Sequence, residues 1–97
     1  ELWKYYVHMS NLKLYNQSFT KTLGIKEAKL KKLNYQGVKS WDSVGHMSLI
    51  SVLEKKFNIE MDIDDIVDFS SYEKGKKILK KYKILVKWKK MLLKNMI

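Results

Sequence analysis

The sequence predicts an all-α domain, and three observations lead to this prediction. The chain of 97 residues has no proline and only four glycines, so residues that break helices are rare. Apolar residues recur every three or four positions in several segments, and no segment shows the clean alternation of a half-buried strand. We therefore predict a four-helix bundle with a long loop between helices 1 and 2, a short helix 3 and a basic amphipathic C-terminal extension.

The first helix is predicted over residues 11–23, and Gly24 can adopt the left-handed conformation that ends many helices. Its apolar stripe consists of Leu12, Tyr15, Phe19 and Leu23. A loop of about 17 residues follows, from Gly24 to Ser40. Loops of this length in small domains are usually functional or contain a short helical turn. Four apolar residues would anchor the loop: Ile25, Leu30, Leu33 and Val38.

The second helix is predicted to begin at Asp42 or Ser43 and to run to Phe57, with Asn58 as a left-handed stop. At 100° per residue, one arc of this helix forms a core face of His46, Leu49, Ile50, Leu53 and Phe57. The opposite arc carries Ser43, Val44, Met47, Ser51 and Glu54. The second helix therefore exposes a small apolar patch, Val44 and Met47, beside a serine.

Two shorter helices are predicted in the rest of the domain. Asp62 would cap a third helix over residues 63–67, which turns Ile63, Ile66 and Val67 inward. For the fourth helix, Ser70 and Glu73 fit a capping box. Its apolar stripe is Tyr72, Gly75, Leu79 and Tyr82, and a continuation of the helix would add Leu85, Trp88, Leu92 and Met96.

Charge limits the partners that the chain is expected to have. Twenty lysines face ten acids, giving a formal net charge of +10, and there is no arginine. A basic net charge favours anionic partners such as nucleic acid or membrane. The chain lacks arginine, however, which is the residue that usually recognises guanine and phosphate. Ten lysines lie within residues 74–94, whereas five acids lie within residues 60–68.

Other classes of site are limited by composition as well. The absence of cysteine excludes disulfides, thiolate metal sites and a catalytic thiol, and it is compatible with the cytoplasmic location that we expect. No run approaches the roughly 20 apolar residues of a membrane span. We expect one domain over residues 9–83, an N-terminal extension of native or introduced origin over residues 1–8, and the basic extension over residues 84–97.

One run carries a resemblance to a known family: Trp41-Asp42-Ser43-Val44-Gly45-His46-Met47-Ser48-Leu49-Ile50, followed by Leu53, Glu54, Phe57 and Ile59. With the predicted order of helices, it resembles the acyl carrier protein family, in particular discrete bacterial carriers of specialised pathways. The resemblance covers about residues 9–83. It implies a carrier without catalytic activity of its own, to which 4′-phosphopantetheine is attached at Ser43. Asp42 matches the family's aspartate, and Val44 stands where leucine is commoner.

The resemblance also implies partners. A phosphopantetheinyl transferase would donate the group from coenzyme A, an acyl- or aminoacyl-activating enzyme would load it as a thioester, and a downstream transferase or synthase would take the cargo. Family members are strongly acidic along the second helix, whereas here Lys55 and Lys56 follow Glu54. We therefore expect a dedicated partner that contacts Val44, Met47, Ser51 and Glu54.

Simpler interpretations stay open at this point. Ser43 could be an unmodified helix cap. His46 could act as an acid or base, but its place on the core arc of α2 favours a packing role. The acids at residues 60–68 lack the pattern of a calcium-binding loop and are expected to be solvated. The lysines at residues 74–94 could form a solvated face, and the apolar residues among and after them could pack on the domain, bind an anionic membrane or contact a partner enzyme. The alternative function is a basic helical module that binds nucleic acid or an anionic membrane; with the carrier reading, no nucleic acid is expected.

Overall fold

A computed structural model describes residues 2–86, with the side chains of residues 10–86. Its elements are helix α1 (Leu2–Leu23), a 3-10 helix (Glu27–Lys32), and helices α2 (Ser43–Phe57), α3 (Ile63–Asp68) and α4 (Tyr72–Lys81). Residues 2–86 contain no strand, and their only β pairing is an isolated bridge between Asn34 and Ser71. The all-α prediction is confirmed for this part of the chain.

Helix α1 has the predicted core stripe and the predicted end. Its four stripe residues are all buried: Leu12, Tyr15, Phe19 and Leu23. Gly24 follows with φ +66°, and its N–H donates to the Thr20 carbonyl. The helix begins at Leu2 rather than near Asn11. The division between an extension and a domain at residues 8 and 9, which stays a prediction, therefore falls inside a helix.

The long connection between α1 and α2 contains a short helical turn, one of the two alternatives that its length predicts. The 3-10 helix buries Leu30, and Leu33 is buried directly after it. Ile25 and Val38 pack at the edge of the same core. All four predicted anchors thus hold this connection onto the domain.

Helix α2 matches its prediction at both ends. The carboxylate of Asp42 accepts a hydrogen bond from the Gly45 N–H at 2.8 Å, and Asn58 ends the helix at φ 53° and ψ 52°. The core arc packs against α1, with Leu49, Ile50 and Leu53 buried and with His46 and Phe57 half-buried. The opposite arc is exposed except for Glu54.

Helix α3 turns a different face to the core than predicted. Of the three residues predicted to point inward, two are exposed, so the prediction was wrong for them. Ile63 and Val67 are 77% and 73% exposed, and only Ile66 is partly buried. The buried member of the helix is Asp65, so this acid also departs from the expectation of solvated acids. Asp65 lies one turn from buried Met61 and Phe69, and these three residues form the inward stripe.

Two hydrogen bonds at 2.6 Å make this orientation of α3 stable, because they satisfy the buried Asp65 carboxylate. Lys81 Nζ donates to Oδ1 and Tyr82 Oη donates to Oδ2. The side chain of Asp62 makes no capping bond, although Asp62 does hold the N-cap position. Its N–H donates instead to Tyr82 Oη at 2.9 Å. Polar contacts with the end of α4 therefore orient α3.

Helix α4 begins one residue later than the capping box predicts. Ser71, not Ser70, is the N-cap, and its hydroxyl accepts from the Lys74 N–H at 2.9 Å. The reason is backbone pairing with the connection before α2. The Ser70 carbonyl accepts from the Tyr35 N–H, and the Tyr72 N–H donates to the Leu33 carbonyl. This pairing holds residues 70 and 71 extended.

The fourth helix also ends earlier than its predicted continuation. Its buried residues are Tyr72, Gly75, Ile78 and Leu79. The helix stops at Lys81, and Lys83 has a positive φ of 65°. Val86 is buried, and the Leu85 carbonyl accepts from Asn11 Nδ2 at 3.2 Å. The chain after α4 thus returns to α1 as far as residue 86; the predicted positions at Trp88, Leu92 and Met96 lie outside the described residues.

The centre of the domain is aromatic. Tyr15, Phe19, Trp41, Phe69 and Tyr72 are all buried, and their neighbouring rings have centroids 5.0–6.5 Å apart. Tyr15 Oη donates to the Tyr72 carbonyl at 2.7 Å, and Tyr72 Oη donates to the Asn16 side chain. Within residues 2–86, no helix is both long enough and apolar enough to cross a membrane.

Candidate functional site

Ser43 is the first residue of α2, and its side chain is exposed. Among the side chains of residues 10–86, none is found to hydrogen-bond the Ser43 hydroxyl. Asp42 uses its carboxylate to cap Gly45, and the His46 N–H makes the first helical bond to the Asp42 carbonyl at 2.8 Å. The N–H groups of Ser43 and Val44 precede that bond and are left for solvent or for an anion.

Gly45 allows the chain before α2 to lie directly on its first turn. A Cβ atom at this position would collide with the Ser40 carbonyl oxygen, which belongs to the backbone and has no rotamer by which to move away. Ser40 is itself tied to the end of α1, because its hydroxyl donates to the Leu23 carbonyl at 2.7 Å. The glycine is therefore needed for the turn that presents Ser43.

His46 links three parts of the molecule through its two ring nitrogens. Its Nδ1 accepts from the indole N–H of Trp41 at 3.0 Å, and its Nε2 lies 2.8 Å from the Ile66 carbonyl. An indole can only donate and a carbonyl can only accept, so in this arrangement Nδ1 is the hydrogen-bond acceptor and Nε2 is the donor. The ring also stacks on Trp41 at an interplanar angle of 17°. His46 therefore packs on Trp41 and links α2 to α3, in agreement with its predicted place on the core arc of α2.

A shallow, open depression lies beside Ser43 on the outer side of α2. It is lined by Ser43, Val44, Met47, Ser48 and Ser51. The side chains of Val44 and Met47 are 74% and 53% exposed, as the 100° spacing of residues along α2 predicts. Apolar side chains this exposed and this close together are typical of contact surfaces, although each alone would be unremarkable.

Glu54 differs from the other predicted partner contacts. It is half-buried, and its Oε2 accepts a hydrogen bond from the Met61 N–H at 2.9 Å. The turn that follows α2 would otherwise leave this N–H without a partner, because Asn58 reverses the chain there. Glu54 therefore has a structural task of its own, and a contact with a partner protein would have to share its carboxylate.

The Asp65 group shows how α3 is held beside the site. Hydrogen bonds from Lys81 and then Tyr82 lower the pKa of Asp65, against the opposing effect of burial. The Asp65 bond raises the pKa of Lys81, and burial followed by the same carboxylate raises the pKa of Tyr82. The bond from His46 to the Ile66 carbonyl then joins α3 to the first turn of α2.

The described residues contain no group of three or more histidine, aspartate or glutamate side chains that could hold a metal ion. The exposed acids of α3, Asp64 and Asp68, therefore do not form such a site with their neighbours.

Sequence reasoning missed several residues around the site. Ser48 lines the depression and follows Val44 by one turn of α2. Assigning every residue of α2 to an arc of the helix would have placed Ser48 on this surface. Asp65 could have been found from its spacing to Met61 and Phe69. The burial of Trp41 had no local signal, because its partner at His46 is recognised only once the turn is formed.

No protein-family model, no curated protein and no solved structure matches this chain in the three comparisons.

Proposed function

We propose that this chain is a carrier protein that presents an acyl or aminoacyl intermediate on a 4′-phosphopantetheine arm attached to Ser43. The cargo is held as a thioester and passed between partner enzymes of a specialised biosynthetic pathway. The proposal assigns no catalytic residue to the chain itself. It extends to the fold, as a bundle of the acyl carrier protein type.

One observation supports the proposal most strongly. In the run at residues 41–50, some residues stabilise the fold through core packing, capping or hydrogen bonds, and the others have no such structural role. Trp41 and His46 hydrogen-bond each other, Asp42 caps the helix, Gly45 permits a close contact, and Leu49 and Ile50 are core. The remaining residues are exposed and lie on one surface: Ser43, Val44, Met47 and Ser48. Folding explains the first group, and a site at Ser43 explains the second.

The residues present fit a phosphodiester at Ser43. The hydroxyl is exposed and without a partner among the described side chains, so a transferase could reach it while the helix stays folded. Two unpaired N–H groups and the positive end of a 15-residue helix lie beside it. Such a terminus stabilises a nearby anion by about 0.3–2 kcal/mol. This would orient the linkage, whereas its formation requires an enzyme.

The bound group would supply what the chain lacks. Phosphopantetheine ends in a thiol that can hold an acyl group as a thioester, whereas this chain has no cysteine. Asp42 would fix the first turn through its cap. Val44, Met47 and Ser51 would give the transferase, the activating enzyme and the downstream enzyme a surface beside the arm.

The test is incubation of the whole protein with coenzyme A and a phosphopantetheinyl transferase of broad specificity, followed by intact mass measurement. The proposal predicts a gain of one phosphopantetheine in the wild type, none in Ser43→Ala, and a normal gain in Ser48→Ala. Ser48 is a matched control because it is exposed on the same helix and lines the same depression. Circular dichroism would establish that all three proteins are folded.

A folded wild type that gains no mass would contradict the proposal. So would a Ser43→Ala protein that is modified as completely as the wild type.

A further inference from the structure

Helix α3 holds two large apolar side chains in solvent. Ile63 and Val67 are 77% and 73% exposed, and they lie one turn apart, so they are neighbours on the helix surface. The helix cannot turn them inward, because the buried carboxylate of Asp65 is bonded to Lys81 and Tyr82. An apolar pair that is fixed in this position indicates a contact surface.

An acidic row runs beside the apolar pair. Asp64 and Asp68 are the next residues after Ile63 and Val67, and both are exposed. We name these four residues the outer face of α3. Among residues 10–86, no lysine forms an ion pair with either of these two carboxylates, whereas Asp65 is paired with Lys81. The outer face is therefore apolar on one side and carries uncompensated negative charge on the other.

A shallow depression connects the outer face with the end of α4. Ile63 and Asp64 line it together with the exposed Glu60, and Lys81 of α4 lines it as well. Tyr82 comes next, and its Oη accepts a hydrogen bond from the N–H of residue 62 at 2.9 Å. The chain that follows α4 therefore starts directly beside α3.

The residues that follow lie within reach of the outer face. Successive Cα atoms are about 3.8 Å apart, so residue 87 lies at most about 19 Å from Tyr82. From there, residues 87–97 can span roughly 35 Å if extended, whereas α3 is only about 9 Å long.

Residues 87–97 lie outside the described residues, but their sequence complements the outer face of α3. They contain no acid and four lysines, namely Lys87, Lys89, Lys90 and Lys94. Among these lysines stand six large apolar residues: Trp88, Met91, Leu92, Leu93, Met96 and Ile97. The segment therefore offers both positive charge for the acidic row and apolar side chains for the apolar pair.

We propose that residues 87–97 bind the outer face of α3 in the same molecule. A stable interface with a separate protein buries about 800 Å² on each partner, which is more than a six-residue helix exposes. A segment joined to the domain by a short connection has an effective concentration on the order of millimolar, so a few contacts are sufficient. The proposal does not depend on the carrier function, and Ser43→Ala is expected to leave this contact unchanged.

The test is zero-length cross-linking of the full chain with a carbodiimide, which joins carboxylates to lysines that lie in contact. The monomer fraction is then digested and mapped by mass spectrometry. The proposal predicts amide cross-links from Asp64 or Asp68 to lysines of residues 87–97. The pair of Glu73 and Lys76, at 3.6 Å, is the internal reference and should cross-link in every sample.

Two double variants test whether the apolar pair holds the segment. Ile63→Ser with Val67→Ser should lower the yield of these cross-links at least about threefold, because two apolar contacts are lost. Val44→Ser with Met47→Ser is the matched control, since it removes two exposed apolar side chains from α2, and it should leave the yield unchanged. Circular dichroism would establish that both variants are folded, as expected for substitutions at exposed positions.

The proposal would be overturned if the monomer formed the reference cross-link but none between α3 and residues 87–97. Equal losses in the two double variants would also overturn it, because the contact would then not be specific to the outer face. Cross-links found only in covalent dimers would assign the outer face to the segment of a second copy of the chain.

Discussion

His46 is the residue whose loss should damage the framework of the site most. In His46→Ala, the indole N–H of Trp41 loses its acceptor while the side chain is fully buried, which costs about 1–3 kcal/mol. The Ile66 carbonyl loses its donor, and the ring contacts with Trp41, Tyr35 and Phe69 disappear. These losses together should lower the free energy of unfolding by about 3 kcal/mol.

The assay is urea unfolding followed by far-UV circular dichroism. With a slope of roughly 1.5 kcal/mol per molar urea, the midpoint of His46→Ala should fall by about 2 M. His46→Asn places a carbonyl oxygen near the former Nδ1, so it should keep the Trp41 bond and lose about half as much. Met47→Ala, at the neighbouring exposed position, is the control and should change stability by less than about 0.5 kcal/mol.

The reasoning would be refuted if His46→Ala and Met47→Ala had the same midpoint. It would also be refuted if His46→Asn were no more stable than His46→Ala, because the Trp41 bond would then contribute nothing.

Three further predictions concern the turn before α2, the loss of stability at low pH, and the exposed surface formed by Val44 and Met47. Gly45→Ala should destabilise the protein by about 1–3 kcal/mol despite the better helix propensity of alanine, because the added methyl meets the Ser40 carbonyl; a more stable variant in urea would show that the contact is not close. The pKa of Asp65 is lower in the folded state than in the unfolded chain, so its contribution is present above about pH 4 and is lost as pH falls through the folded pKa. Asp65→Asn should therefore unfold at lower urea than wild type at pH 7, with the difference shrinking toward pH 3; a constant difference would argue against the ionised contact. Val44→Ala with Met47→Ala should leave the urea midpoint within about 0.5 kcal/mol of wild type but lower kcat/KM for loading by the transferase, and an unchanged kcat/KM would remove these residues from the contact.

Helix α2 was predictable because its information is local. Asp42 and Asn58 mark its ends, and the periodicity of Leu49, Ile50 and Leu53 sets its buried face. The same periodicity correctly predicted Val44 and Met47 as exposed. The candidate site is a feature of this one helix, so most of it could be derived from sequence.

Helix α3 was mispredicted because its information is distant. A six-residue helix with three apolar residues has no strongly preferred face, and the choice was made by Lys81 and Tyr82, which lie 16 and 17 positions from Asp65. Glu54 illustrates the same limit, since its acceptor role depends on the turn at Asn58 bringing Met61 back to it. The N-cap of α4 is Ser71 instead of the predicted Ser70, because the backbone before this helix pairs with Leu33 and Tyr35.

The most direct measurement is peptide mass spectrometry of the protein isolated from the cells that make it, with an acyl carrier protein from the same cells as a control. The account predicts a phosphopantetheine on the peptide that contains Ser43, carrying a thioester cargo in part of the population. If Ser43 were unmodified in every molecule while the control carried its group, the proposed attachment site would be wrong.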